Sequence, residues 1–259
     1  MTRDLTKLSN QTYLNQTALT KNMPTVNKSS ILCHRYPKKN ILRHKKQETI
    51  LVITAHGNSP AFGAGGTLAK YAKEGKRIRT IILSYGELSQ PHLKPEIVTK
   101  TKQREAQKAD TILGGKGIEY LGLKDATMLI DIRKEETEQK LVQMIEKENP
   151  SKIFTHGTNI FTTYNYTAGR LIKKLIKENK IKCPVYTFHK WGVLKITKRN
   201  LPKLIVDITD TFATKTEAIK AHKSEMSTYA GLGWLIHMKA RLNGWKNGFR
   251  YVEVFDRIN

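Results

Sequence analysis

The sequence predicts an α/β fold: a Rossmann-like, mostly parallel sheet with helices on both faces, preceded by a basic, irregular N-terminal arm. Short runs rich in β-branched residues alternate along the chain with segments of helical pattern. A glycine-rich stretch containing Gly63, Gly65 and Gly66 follows the first of these runs, as expected for the turn after a first parallel strand. The 259 residues, 39% of them hydrophobic, suffice for one large domain.

The first half of the domain contains three predicted strands with helices between them. The run TILVIT is short and β-branched, which is typical of a buried parallel strand. The glycine-rich turn then leads into a helix that ends near Gly75, and a second helix ends at Gly114 and Gly115. The elements predicted here are a strand at 49–54, a helix at 67–74, a strand at 77–84, a helix at 99–113 and a strand at 117–121.

The second half continues the alternation, without an internal repeat or a second domain. Its predicted elements are a charged amphipathic helix at 135–148, a strand at 152–155, a helix at 167–178, strands at 185–188 and 204–208, and a helix at 212–222. Because strand and helix alternate, we expect a parallel sheet covered on both faces over residues 49–259.

Residues 1–48 form a separate basic arm in this interpretation. They are rich in Ser, Thr, Asn and Gln and carry ten basic and two acidic side chains. Such a segment buries too little apolar surface to offset its chain entropy, so alone it is expected to be disordered. It could be a targeting segment, a glycosylated segment with three Asn-x-Ser/Thr acceptor sites, or an extension that orders on a polyanion. We favour the last.

The charge of the chain is its unusual property. Lys and Arg total 46 against 22 Asp and Glu, a formal net charge of +24. A polyanion such as nucleic acid would neutralise this charge, although a surface tuned for solubility is the alternative. No apolar run is long enough to cross a bilayer, so no membrane partner is expected. The two cysteines, Cys33 and Cys183, are far apart, which favours a reducing compartment.

Six motifs occur in an order that resembles one family. Residues 54–68 read TAHGNSPAFGAGGTL, similar to the signature loop A-H-P-D-D-E followed by G-x-G-G-T-L of the PIG-L/LmbE N-acetylglucosaminyl deacetylases. The other five are SYGE at 84–87, REA to ILG at 104–114, YLGLKD at 120–125, AHKS at 221–224 and GFRYVEVF at 248–255. The resemblance spans residues 49–259 and is nearest to the bacterial thiol-cofactor biosynthesis branch.

The resemblance implies a zinc-dependent reaction, but two of the family's catalytic residues in the first loop are replaced in this sequence. Members of the family hydrolyse an acetamide with a zinc-bound water held by two imidazoles and one carboxylate, beside a carboxylate base. The family's first histidine ligand corresponds to His56, which is present. The base corresponds to Asn58 and the aspartate ligand to Ser59. An amide cannot take a proton, and a neutral hydroxyl is a poor replacement for a carboxylate on zinc.

The second ligand loop of the family is changed as well. Its H-P-D-H motif aligns with residues 163–166, so that Thr163, Asn165 and Tyr166 replace the first histidine, the aspartate and the ligating histidine. The tyrosine that stabilises the oxyanion in some members becomes Phe161. These changes predict that the catalytic site is degenerate and that no metal or other cofactor is bound.

A relocated metal site is the alternative to a lost one. The residues that could complete it are His156, at the end of a predicted strand, and Asp125 and Asp207, on loops that could be neighbours. Metal geometry tolerates little rearrangement, so a structural role for His56 is favoured over such a site.

The loss of ligands and the excess of charge together predict a catalytically inactive, RNA-associated structural protein of a ribonucleoprotein, such as an organellar ribosome. Its expected partners are ribosomal RNA and neighbouring proteins, in a mitochondrion or other organelle, or otherwise in the cytoplasm. Candidate RNA contacts are Lys38, Lys39, Arg43, Lys45, Lys46, Lys173, Lys174, Lys177, Lys180 and Lys182. The alternatives are an active zinc-dependent N-acetylglucosaminyl deacetylase with an unusual metal site, and a sugar-binding module.

Overall fold

The computed structural model describes residues 47–158, 163–188 and 201–259, which belong to one compact unit. Its strands are β1 Thr49–Thr54, β2 Arg77–Ser84, β3 Ile118–Leu123, β4 Lys152–His156, β5 Val185–Phe188, β6 Lys203–Asp207 and β7 Val252–Arg257. These seven strands form one sheet in the order β3-β2-β1-β4-β5-β7-β6. Strands β1 to β5 are parallel, and β7 is antiparallel to both of its neighbours. The predicted fold class is confirmed; the basic arm lies outside the described residues.

Helices cover both faces of the sheet, as β1 shows directly. All four central side chains of β1 are fully buried, but Ile50 and Val52 join one apolar cluster while Leu51 and Ile53 join another. The helices are α1 Ser59–Lys73, α2 Pro95–Ile112, α3 Met128–Asp131, α4 Glu135–Glu148, α5 Thr163–Lys177, α6 Phe212–Lys220 and α7 Met226–Lys246. Helices α1, α2, α6 and α7 contribute to the first cluster, and α3, α4 and α5 to the second.

Helix α1 begins eight residues earlier than the sequence predicts. The glycines expected in a turn therefore lie inside the helix, where they let other elements approach its backbone. A Cβ atom on Gly63 would lie 2.2 Å from the Phe188 ring, and one on Gly66 would lie 2.7 Å from Ile208. Pro60 is tolerated in the first turn because the amide group it lacks has no partner within the helix. The glycines are thus packing residues rather than turn residues.

Adding one methyl group at Gly66 is expected to destabilise the domain. Gly66→Ala places a Cβ atom 2.7 to 2.9 Å from three atoms of buried Ile208, and such overpacking lowers the free energy of unfolding by about 1–3 kcal/mol. Gly231→Ala in α7 is the matched control, because no atom lies within 4 Å of its added Cβ and alanine favours helix by about 0.5–1 kcal/mol. Urea unfolding of both variants measures the difference; equal stabilities would contradict the tight packing at Gly66.

A buried ion pair joins α1, α6 and β7. The side chains of Lys215 and Glu253 are 5% and 6% exposed, and Lys215 Nζ lies 2.5 Å from Glu253 Oε1. The second carboxylate oxygen accepts hydrogen bonds from the Thr67 amide at 2.8 Å and the Thr67 hydroxyl at 2.6 Å. Because both carboxylate oxygens have partners, the desolvated charge of Glu253 is compensated.

Candidate functional site

Two polar side chains meet at the carboxyl edge of the parallel strands. His56 follows β1 by two residues and Asp125 follows β3 by two residues. His56 Nε2 lies 2.9 Å from Asp125 Oδ1, and the side chains are 27% and 3% exposed. Loops at this edge of an open α/β sheet are where such folds place their chemistry. The two residues are called the His56–Asp125 dyad below.

Asp125 is fixed in place and kept ionised by its neighbours. The Ser84 hydroxyl donates to Oδ1 at 2.5 Å and the Leu88 amide to Oδ2 at 3.2 Å. The amide of Asp125 itself donates to Glu87 Oε1 at 2.6 Å. Burial by itself raises the pKa of Asp125, but the hydrogen bonds from His56 and Ser84 outweigh it and lower this pKa below its ordinary value. The carboxylate is therefore a permanent hydrogen-bond acceptor for His56.

This acceptor sets the tautomer of His56. An ionised carboxylate only accepts, so Nε2 of the neutral ring carries the proton and Nδ1 keeps its lone pair. Nδ1 has no hydrogen-bond partner in the described part of the chain. Tyr164 packs edge-on against the imidazole, with ring centroids 5.3 Å apart, and its hydroxyl donates to the Asp125 carbonyl at 3.3 Å. The dyad thus offers an oriented base with a partly exposed ring.

The first-loop residues predicted from the family lie beside His56 but offer no carboxylate. Asn58 precedes α1, and the hydroxyl of buried Ser59 lies 3.4 Å from the side-chain oxygen of Asn58. Asn58 therefore ends the loop after β1, and Ser59 is the first residue of α1. An amide and a hydroxyl are the polar side chains that these two residues offer next to His56.

In the second loop, the residue that contacts His56 is Tyr164, which is not one of the positions that the family alignment singled out. Tyr166 is 37% exposed and lies beside Arg170, whose guanidinium carbon is 5.8 Å from its ring. Thr163 is exposed at the start of α5, and Asn165 is buried with no described partner for Oδ1. Tyr164 is the aromatic residue of this loop that contacts His56. Phe161 lies outside the described residues.

Of the residues considered for a relocated metal site, Asp125 alone bonds to His56 in the described ranges. Asp207 Oδ1 accepts hydrogen bonds from the amide and hydroxyl of Thr209, at 3.0 and 2.6 Å. His156 is buried, with its ring 5.0 Å from that of Phe188. Asp207 therefore stabilises its own loop, and His156 packs in the core.

The described donors do not fit the zinc ion that the family resemblance implies. A catalytic zinc needs three protein ligands and an open position for water. Residues 47–158, 163–188 and 201–259 contain no group of three His, Cys, Asp or Glu side chains that could hold a metal ion. His56 and Asp125 are two such donors, and they are hydrogen-bonded to each other. The chemistry of the site is accordingly derived from the dyad.

Two of the lysines predicted to bind RNA form ion pairs within the domain. Lys174 Nζ lies 2.5 Å from Glu138 Oε2, and Lys180 pairs with Glu138 and, at 2.8 Å, with Glu178. The hydrogen bonds from Lys174 and Lys180 lower the pKa of Glu138 to about 2. Lys177 and Lys182 are exposed and Lys173 is half-buried. The other candidates, Lys38, Lys39, Arg43, Lys45 and Lys46, lie outside the described residues.

Comparisons with known proteins identify enzymes. A family profile described as PIG-L: GlcNAc-PI de-N-acetylase matches residues 51–161. The probable N-acetyl-alpha-D-glucosaminyl L-malate deacetylase 2 of Bacillus anthracis is 20% identical over 191 residues, which cover 71% of this chain and 84% of that protein.

Solved structures with the same fold include two more enzymes. The N,N'-diacetylchitobiose deacetylase of Pyrococcus horikoshii has a TM-score of 0.69 at 20% identity, covering 83% of this chain and 85% of its own. GalB, the 4-carboxy-2-hydroxymuconate hydratase of Pseudomonas putida, has a TM-score of 0.68 at 20% identity, covering 82% and 97%. At these identities the solved structures establish the shared fold.

These comparisons contradict the predicted function. The inactive, RNA-associated ribosomal protein expected from the sequence is wrong, because the homologues and structural neighbours are deacetylases and a hydratase. The expected partners, ribosomal RNA and proteins of a mitochondrial or other ribosome, are wrong for the same reason. The error has a physical origin: net charge governs solubility and nonspecific association, and it does not report the chemistry of a site.

Proposed function

We propose that this chain, which carries a PIG-L/LmbE-like domain, is an amide hydrolase. Its reaction removes the acetyl group from a small N-acetylated amino sugar. The His56–Asp125 dyad carries the proposal, because it places an oriented base at the sheet edge. The substrate class is taken from the Bacillus relative, of which the matched region covers 84%.

The dyad supplies the proton transfers that amide hydrolysis requires. His56 Nδ1 takes a proton from water, whose oxygen forms a bond to the carbonyl carbon of the acetamide. Asp125 stabilises the imidazolium that results, because its carboxylate accepts the Nε2 proton. The carbon–nitrogen bond then breaks as the proton moves from His56 to the leaving amine, which gives acetate and a free amino sugar. General acid–base catalysis of this kind contributes about 10²–10⁴-fold to a rate.

The start of α1 supports the negative charge that develops on the carbonyl oxygen. The helix begins at Ser59, directly after the loop that carries His56. Its amino-terminal end is the positive end of the helix dipole. No acidic side chain occurs in the first turn of α1 to offset this potential. Positive potential aimed at a developing oxyanion stabilises the transition state more than the ground state.

Measurement of both products tests the proposed activity. The full chain is incubated with N-acetylglucosaminyl L-malate, N,N'-diacetylchitobiose and N-acetylglucosamine, and acetate and primary amine are quantified in the same samples. We expect equimolar acetate and amine from at least one of these substrates. The matched control is Tyr166→Phe, which changes an exposed residue of α5 beside Arg170 and should leave the rate unchanged. Absence of both products with all three substrates would refute the proposed function.

A further inference from the structure

An exposed apolar surface lies at the C-terminal end of the domain, away from the dyad in sequence. Trp234, Leu242 and Trp245 of α7 and Phe249 just after it are 59%, 43%, 79% and 49% exposed. These four residues are called the aromatic face below. Two tryptophans with more than half of their surface in water are unusual, because aromatic side chains normally bury most of their area.

The spacing of these residues places them on one side of α7. Trp234 and Trp245 are eleven positions apart, which is close to three full helical turns. Leu242 lies three residues before Trp245 and therefore beside it. Ile236 and Ala240, by contrast, are buried in the core. Helix α7 thus has two apolar sides, one packed on the domain and one exposed to solvent.

Basic side chains share the aromatic face's stretch of sequence, which contains no acidic residue. Between Met226 and Tyr251 the sequence contains no Asp or Glu. Within that stretch Lys239, Arg241, Lys246 and Arg250 are all basic, and the last three are exposed. Exposed tryptophans combined with lysine and arginine form the pattern of a helix that lies in the headgroup region of an anionic membrane.

We propose that the aromatic face binds the surface of an anionic lipid bilayer, with α7 lying in the plane of the interface. The indole rings of Trp234 and Trp245 insert at the level of the headgroups, where an apolar ring with a polar edge is most stable. The basic side chains contact lipid phosphates. No helix among the described residues could cross a membrane, so the contact is peripheral. The proposal departs from the expectation, drawn from the lack of a spanning segment, that the chain has no membrane partner.

The charge of the chain argues against a second copy of the chain as the occupant of the face. A second copy of the chain would bring the same basic residues together across a two-fold axis. An anionic lipid surface instead complements both the face and the net charge of +24.

Vesicle binding tests this proposal on the full chain. The protein is sedimented with vesicles of phosphatidylcholine alone and with vesicles in which about a third of the lipid is phosphatidylglycerol. We expect binding to the anionic vesicles, weakened by added salt, and a loss of about tenfold in the partition coefficient for each of Trp234→Ser and Trp245→Ser. Ile130→Ser is the matched control, because Ile130 is 68% exposed on the separate helix α3; it should bind like the parent chain.

Fluorescence separates insertion from binding by charge alone. Emission of Trp234 and Trp245 should be quenched by brominated lipid, and the double variant, which retains Trp191, reports the background. Equal binding by the parent chain and the double variant would overturn the proposal, because the basic residues alone would then explain it. It would also be overturned by no binding to either vesicle, or by a dimer that both substitutions dissociate.

Discussion

Substituting His56 with glutamine is expected to lower kcat for acetate release by about a thousandfold, with a much smaller change in KM. Glutamine keeps the size of the side chain and can donate a hydrogen bond to Asp125, but its amide cannot take a proton from water. The loss therefore falls on the proton transfer and not on substrate binding. Steady-state kinetics on the substrate that gives acetate measure it. His237→Gln is the control, because His237 is an exposed histidine of α7 whose ring contacts Phe212.

The same kinetic measurement is made on a variant of Asp125, the hydrogen-bond partner of His56. Asp125→Asn preserves the shape of the side chain but lets an amide group face the imidazole, which favours the wrong tautomer of His56. We expect kcat to fall by about 10²–10⁴-fold, and the double variant to lose little more than either single one, since the two residues act as a unit. If His56→Gln retained the parent rate, the role assigned to the dyad would be wrong.

Removing the charge of Glu253 is expected to cause a large loss of stability. Glu253→Gln leaves the ammonium of Lys215 buried, with a side chain 5% exposed, and without its counter-charge. Breaking a buried ion pair in this way lowers the free energy of unfolding by about 3–5 kcal/mol. For a domain of this size that corresponds to a decrease in Tm of roughly 6–20 °C. Thermal unfolding followed by circular dichroism measures it.

A more exposed pair, at the edge of the sheet, provides the control for this prediction. Glu119 is half-buried and lies 3.4 Å from Lys147, whose side chain is 66% exposed, and 3.8 Å from Arg79; pairs near the surface contribute about 0–1 kcal/mol. Glu119→Gln should therefore change Tm only slightly. Replacing both partners by apolar residues, in Lys215→Met with Glu253→Leu, should recover part of the loss because no buried charge remains. A Glu253→Gln variant as stable as Glu119→Gln would contradict the account of the buried pair.

Local pattern was sufficient to predict most of the sheet, and it failed where tertiary contacts decide. Strand β1 was predictable because the short, β-branched run 49–54 is typical of a buried parallel strand. Helix α1 was predicted too short because Gly63 and Gly66 have low helix propensity, and only their packing on Phe188 and Ile208 explains them. Helix α7 was missed because it is apolar on both its packed and exposed sides, which removes the periodic signal.

The candidate site was predictable only in part. His56 was identified from its motif, but Asp125 appeared as a motif residue and as a possible metal ligand, not as the hydrogen-bond partner of His56. The two residues are 69 positions apart, and their contact depends on the β3-β2-β1 strand order. Tyr164 was overlooked in favour of Tyr166 because alignment to a motif does not show which side of α5 faces the dyad. The positive charge was the misleading signal, since it suggested RNA.

The central claim is that the His56–Asp125 dyad, and not a zinc ion bound by the family's ligands, provides the base. Metal content and acetate release measured on the same chelator-treated sample of the full chain test it most directly. The account predicts that metal-free protein retains its turnover and that stoichiometric zinc does not raise it. Turnover that disappears with the metal and returns on addition of one zinc ion per chain would contradict it.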